Sequence, residues 1–103
     1  MVNNKQTEIL DLLENIFLNK VSVKKDWVLI QNQFNKIHPT FFIDFLKKGI
    51  QLSSAEERYL LLDKIGMNTQ HIATALEVLP ESVYTLRYRL RKKINKFPIN
   101  TFH

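Results

Sequence analysis

Six basic side chains crowd one short stretch. Arg87, Arg89, Arg91, Lys92, Lys93 and Lys96 fall within residues 80–97, against a single acid, Glu81. The rest of the chain balances its bases and acids, so the whole net charge of +5 sits in that stretch. Concentrated positive charge is the electrostatic footprint of a polyanion binder, and it is also what a solvated helix face carries. Other chemistry is poorly supplied. There is no cysteine, hence no thiolate nucleophile, disulfide or thiolate metal site. His38, His71 and His103 are scattered without ligand spacing, and two glycines leave no Gly-rich phosphate loop. Glu56 and Glu57 are sequence neighbours, so on a helix they diverge by about 100° and form no carboxylate dyad. No nucleophile has a base beside it, so no enzyme activity, metal or cofactor is expected.

The elements that must carry the basic stretch are helical, and no segment alternates like a half-buried strand. Ile9, Leu10, Leu12, Leu13, Ile16 and Phe17 form an apolar stripe that predicts a helix over 4–18. Val21 to Lys25 is a short break. Asp26 then suits the N-cap or first turn of a helix bearing Trp27, Ile30, Phe34 and Ile37. His38-Pro39 closes it, and Pro39 suits the first turn of a third helix with Phe41, Phe42, Phe45 and Leu46, stopped by Gly49. Ser53 with Glu56, or Ser54 with Glu57, fits a capping box for a fourth helix ending at Gly66. Asn68 or Thr69 caps a short fifth helix burying Ile72, Ala73, Leu76 and Val78. Pro80 opens the sixth and Pro98 ends it. The expected fold is all-α: a small helical bundle, 1–50 an N-terminal helical extension, 51–97 a helix-turn-helix, 98–103 a tail.

Two short helices, a three-residue turn and a longer basic helix make the helix-turn-helix plan. Ala73 and Ala75 allow close helix approach, and Glu77-Val78-Leu79 is the turn. At about 100° per residue, Val83, Leu90 and Ile94 align on the sixth helix, with Leu86 about 60° to one side. The opposite face carries Glu81, Thr85, Tyr88 and Lys92, flanked by Arg89 and Tyr84. Glu81, Thr85, Tyr88, Arg89 and Lys92 are therefore the candidates for base edges in a major groove. Lys64, Thr69, Gln70, Tyr84, Arg91, Lys93 and Lys96 are the candidates for phosphates. Arg87 lies only about 40° from the apolar line, which predicts an ion pair with Glu56 or Glu57.

Residues 52–94 resemble a LuxR/GerE-type DNA-binding domain. The resemblance rests on Leu52-Ser53 with Glu56, Gly66, Ile72-Ala73, Leu76, Pro80, Ser82-Val83 and the ending Arg89-Leu90-Arg91-Lys92-Lys93-Ile94. The form at the C-terminus of Bacteroidetes-type regulators is also similar upstream, from Asp26-Trp27 through Phe34 to His38-Pro39-Thr40-Phe41-Phe42. Two positions depart from it. His71 stands where the family usually has Glu, and Leu79 stands where Ser or Thr usually caps the recognition helix. Losing that cap costs roughly 1 kcal/mol.

The resemblance implies a bacterial transcription regulator that binds a specific sequence of double-stranded DNA, with helix 80–96 in the major groove. A sigma-factor region-four-like module, contacting promoter DNA and RNA polymerase, shares the helix pattern. A protein-interaction module on the same scaffold is the reading from a different class. If a homodimer forms, Leu10, Leu13, Phe17 and Trp27 are its expected contacts, and the chain is then expected to fold as a monomer without residues 1–22. No apolar run approaches the roughly 20 residues that span a bilayer. The N-terminus is polar and lacks the apolar stretch of a signal peptide, so a cytoplasmic location without membrane contact is expected.

Overall fold

The computed structural model describes the backbone of residues 4–96 and the side chains of 6–95. It is all-helical, and no strand occurs among the described residues. Six helices follow in order: α1 Asn4–Phe17, α2 Trp27–Ile37, α3 Phe41–Lys47, α4 Ser54–Lys64, α5 Thr69–Leu76 and α6 Pro80–Lys96. Pro98, the tail and the side chain of Lys96 lie outside the described residues.

Helix α4 is the centre. Tyr59, Leu60, Leu61 and Leu62 are consecutive, and all four are buried. Four consecutive positions point in every direction round a helix, so α4 must be covered on all sides. Helices α5 and α6 pack on it and on each other, and α1 packs on both α2 and α5. One core runs from Leu12 and Ile16 of α1 through Ile30 and Phe34 of α2 to Val83, Leu90 and Ile94 of α6. Residues 1–22 therefore supply part of the common core. Removing them would expose what Leu12 and Ile16 cover, so a chain lacking them would lose part of the stability of this core. Trp27, Phe41 and Phe42 also pack against this core, while Leu10 and Phe17 remain exposed.

Four helix ends share one device. After α1, α3, α4 and α5 the chain turns through a left-handed residue: Asn19 (φ 59°), Gly49 (φ 78°), Gly66 (φ 99°) and Glu77 (φ 58°). In each case the next residue's N–H reaches back five positions: Lys20 to Asn15, Ile50 to Phe45, Met67 to Leu62 and Val78 to Ala73. This is the Schellman closure, which satisfies carbonyls the helix leaves open. Glycine adopts the conformation without strain, whereas Glu77 carries a Cβ there. Val78, expected inside, is 40% exposed, because that closure turns it out of the α5 face.

The helix starts differ. Ser53 and Glu56 form the reciprocal capping box of α4: Ser53 N–H donates to Glu56 Oε1 at 2.8 Å, and Glu56 N–H donates to Ser53 Oγ at 3.2 Å. Asn68, not Thr69, caps α5 by accepting from His71 N–H at 2.9 Å. Asp26 stands at the N-cap of α2 but turns back to accept from Ser22 N–H at 2.7 Å, closing the preceding loop. Val23 in that loop is buried, so the expected break in fact contributes to the core. Pro39 precedes α3 rather than sitting in its first turn. Phe41 N–H bonds back to His38 O across Pro39 and Thr40, so the helix starts only after that turn.

Candidate nucleic-acid interface

Helix α6 divides as the periodicity predicts. Val83 and Leu90 are fully buried, Ile94 is buried and Leu86 is half-buried. Glu81, Tyr84, Thr85, Tyr88, Arg89, Arg91 and Lys92 are all exposed on the rest of its surface. Burial against α4 and α5 fixes which face is free, and the free face carries hydrogen-bonding groups, two aromatic rings and three cations. Its side chains are partly ordered by one another. Lys92 Nζ stands 4.9 Å from the centroid of the Tyr88 ring, one helical turn away. Thr85 Oγ1 donates to Glu81 O at 3.1 Å, leaving its lone pairs and methyl group outward.

Among the described side chains of this stretch, two bases are turned to the protein. Arg87 Nε donates to Tyr59 Oη at 2.8 Å, and Arg87 Nη2 donates to Thr69 Oγ1 at 2.8 Å. Its guanidinium also lies against the Tyr59 and Tyr84 rings, 5.7 and 5.4 Å from their centroids. One side chain thus pins α6 to α4 and to the first turn of α5. The bond to the Tyr59 hydroxyl, opposed by burial and assisted by nearby Asp63, raises the already high pKa of Arg87, so the pin keeps its charge. The expected ion pair with Glu56 or Glu57 is not formed. The inward turn of Arg87 was legible from its angle, but its partners are a phenol and a hydroxyl.

Lys93 takes the carboxylate instead. Its Nζ donates to Glu56 Oε1 at 2.7 Å and to Gln51 O at 2.9 Å. Glu56 is 5% exposed and serves both its own capping box and this pair. Burial tends to raise its pKa. The hydrogen bonds from Lys93 and from Ser53 N–H, with the charge of Lys93, outweigh that and hold it below the ordinary 4.5. Only the direction of this turn had a sequence signal: Lys93 lies about 80° from Val83, on the Leu86 side of the apolar stripe, which makes it a protein contact rather than the phosphate contact expected of it.

Of the remaining described candidates, Thr69 and Gln70 open α5 and Lys64 ends α4. Thr69 is half-buried and accepts from Arg87, which leaves its own hydroxyl proton to give. Gln70 is exposed. Lys64 is exposed, with its ammonium 5.8 Å from the centroid of the Phe41 ring. At the start of α6, Leu79 offers no side-chain acceptor, and Ser82 N–H bonds to Leu79 O at 2.9 Å. His71, the other departure from the resembled pattern, packs edge-on against Phe17 at 4.7 Å and so joins α5 to α1.

Among the described residues no group of three or more His, Cys, Asp or Glu is arranged to hold a metal ion, and no helix is long and apolar enough to cross a membrane. No family model, curated protein or solved structure matches the chain.

Proposed function

We propose that the protein binds double-stranded DNA sequence-specifically as a transcription regulator, with α6 in the major groove as the second helix of a helix-turn-helix. The observation that carries this reading is the free face of α6, where Glu81, Thr85, Tyr88, Arg89 and Lys92 project from a helix whose opposite face is locked into the core. A helix can enter a major groove only if its outer face is unobstructed and its orientation is fixed from behind. The Arg87 pin and the Lys93–Glu56 pair supply that fixing.

The geometry also refines the electrostatics. Arg87 and Lys93 are engaged within the protein, so among the described side chains about four cations, Arg89, Arg91, Lys92 and Lys64, remain to offset phosphate charge from within or beside the groove, a number that sets the salt dependence. The test is duplex binding at several salt concentrations. The expected slope of log K against log salt is roughly −3 to −4 per protomer. Salt-independent affinity, or no duplex binding at low salt, contradicts the reading.

A further inference from the structure

We propose that the turns of α6 from Glu81 to Tyr88 read thymine through its 5-methyl group, with the rings of Tyr84 and Tyr88 as the contacting surface. This rests on the DNA reading above and names the base that reading leaves open. The two rings are 57% and 60% exposed, and they are the large apolar surfaces on the free face of α6. Each is held by a cation on its own helix. Arg87 lies 5.4 Å from the Tyr84 centroid, and Lys92 Nζ lies 4.9 Å from the Tyr88 centroid. Arg87 is itself fixed by Tyr59 and Thr69, so the Tyr84 ring is oriented through a chain of contacts reaching into α4 and α5. Rings ordered before contact lose little freedom on binding.

What those turns lack narrows the choice. Between Glu81 and Tyr88 there is no Asn or Gln to bond adenine at two points. The one cation there, Arg87, is committed to Tyr59 and Thr69, so no cation of those turns is free to bond both acceptors of guanine. Glu81 can accept from the amino group of cytosine. Thr85 has spent its proton on Glu81 O and shows its methyl group and lone pairs. Against two rings and a methyl, the matching feature of the major groove is the 5-methyl of thymine, which the other three bases lack. Tyr84 thereby moves from the phosphate contact expected of it to a base contact.

The test uses the full 103-residue chain and the duplexes it selects from a random pool. Each thymine of a selected duplex is replaced in turn by deoxyuridine, which keeps every hydrogen-bonding group and lacks only the methyl. At one or more positions Kd should rise about fourfold, the equivalent of roughly 0.8 kcal/mol for one buried methylene. In a Tyr84→Ala, Tyr88→Ala double variant the thymine-to-uracil ratio should fall to about one. Both side chains are exposed, so the melting temperature should hold. Uracil tolerated at every position, or a methyl preference that survives in the double variant, overturns the proposal. Those results leave the DNA reading intact, whereas a chain that selects no duplex overturns both.

Discussion

The two halves of the molecule are held together by different forces. In residues 4–50 neither α2 nor α3 has a side-chain cap, and the contacts are mainly aromatic and aliphatic packing. Phe34 lies at the middle of that packing, fully buried against Phe41 and Phe42. In residues 51–96, α4 and α5 start on side-chain caps, and α6 is tied back by Arg87 and Lys93. The surfaces differ in the same sense. Leu10, Phe17, Leu18, Val28, Leu29, Ile43 and Leu46 are exposed in the first half, while the free face of α6 is polar, cationic and aromatic. Apolar packing fixes how much is buried but tolerates small rotations, whereas directional bonds fix the orientation of one helix. Orientation matters most where a helix must present particular atoms to a partner.

The largest expected effect tests the shared core. Phe34→Ala should cost about 3–5 kcal/mol, a large share of the stability of so small a domain. Because one core joins the halves, chemical denaturation should show one transition lowered as a whole. A residual transition belonging to α4–α6 alone would divide the molecule in two.

The next effect tests the polar pins. Arg87→Ala should destabilise by about 1–3 kcal/mol, since it removes two charge-assisted bonds and leaves the Tyr59 hydroxyl short of a partner. Thermal melting measures this, and an unchanged midpoint would show that α6 is held by packing alone.

Acid should loosen the second half through Glu56. Its folded pKa lies below its ordinary value, so the stabilisation is fully present above about pH 4.5 and is lost as pH falls through the folded value. Lys93 is partly exposed, so the contribution is about 1 kcal/mol. Lys93→Met should flatten that part of the stability-against-pH profile, and an unaltered profile would assign the acid sensitivity elsewhere.

A smaller effect, opposite in sign, is expected at the turn before α6. Glu77→Gly relieves a left-handed residue that has a Cβ and should stabilise by about 0.5–1 kcal/mol. The ion pair it removes, Lys24 to Glu77 at 3.8 Å, is exposed on both sides and contributes little. Destabilisation would mean that the pair, not the backbone, decides that position.

Much of this contrast was legible in the sequence, and more of it in the second half. Ser53 with Glu56, Gly66, Asn68 and Pro80 are local signals, and each marks a boundary within reach of its own side chain or ring. The free face of α6 followed from a period of 3.6 residues and four apolar positions. In the first half, Asp26 and Pro39 carried the right residue types for helix starts, yet tertiary needs used them otherwise. Asp26 closes a loop onto Ser22, and Pro39 lies in the turn that aims α3 at Phe34. The partners of Arg87 and Lys93 were beyond sequence reach. Choosing among Glu56, Glu57, Tyr59 and Thr69 requires the crossing of α4, α5 and α6, which no single helix encodes.

The claim that α6 carries the interface is tested most directly by amide chemical shifts of the full chain titrated with a selected duplex. The account predicts large shifts for Glu81, Tyr84, Thr85, Tyr88, Arg89 and Lys92, with smaller ones at Thr69 and Gln70 and none at Val28, Leu29, Ile43 and Leu46. Shifts concentrated on those four apolar residues, with α6 unmoved, would contradict it.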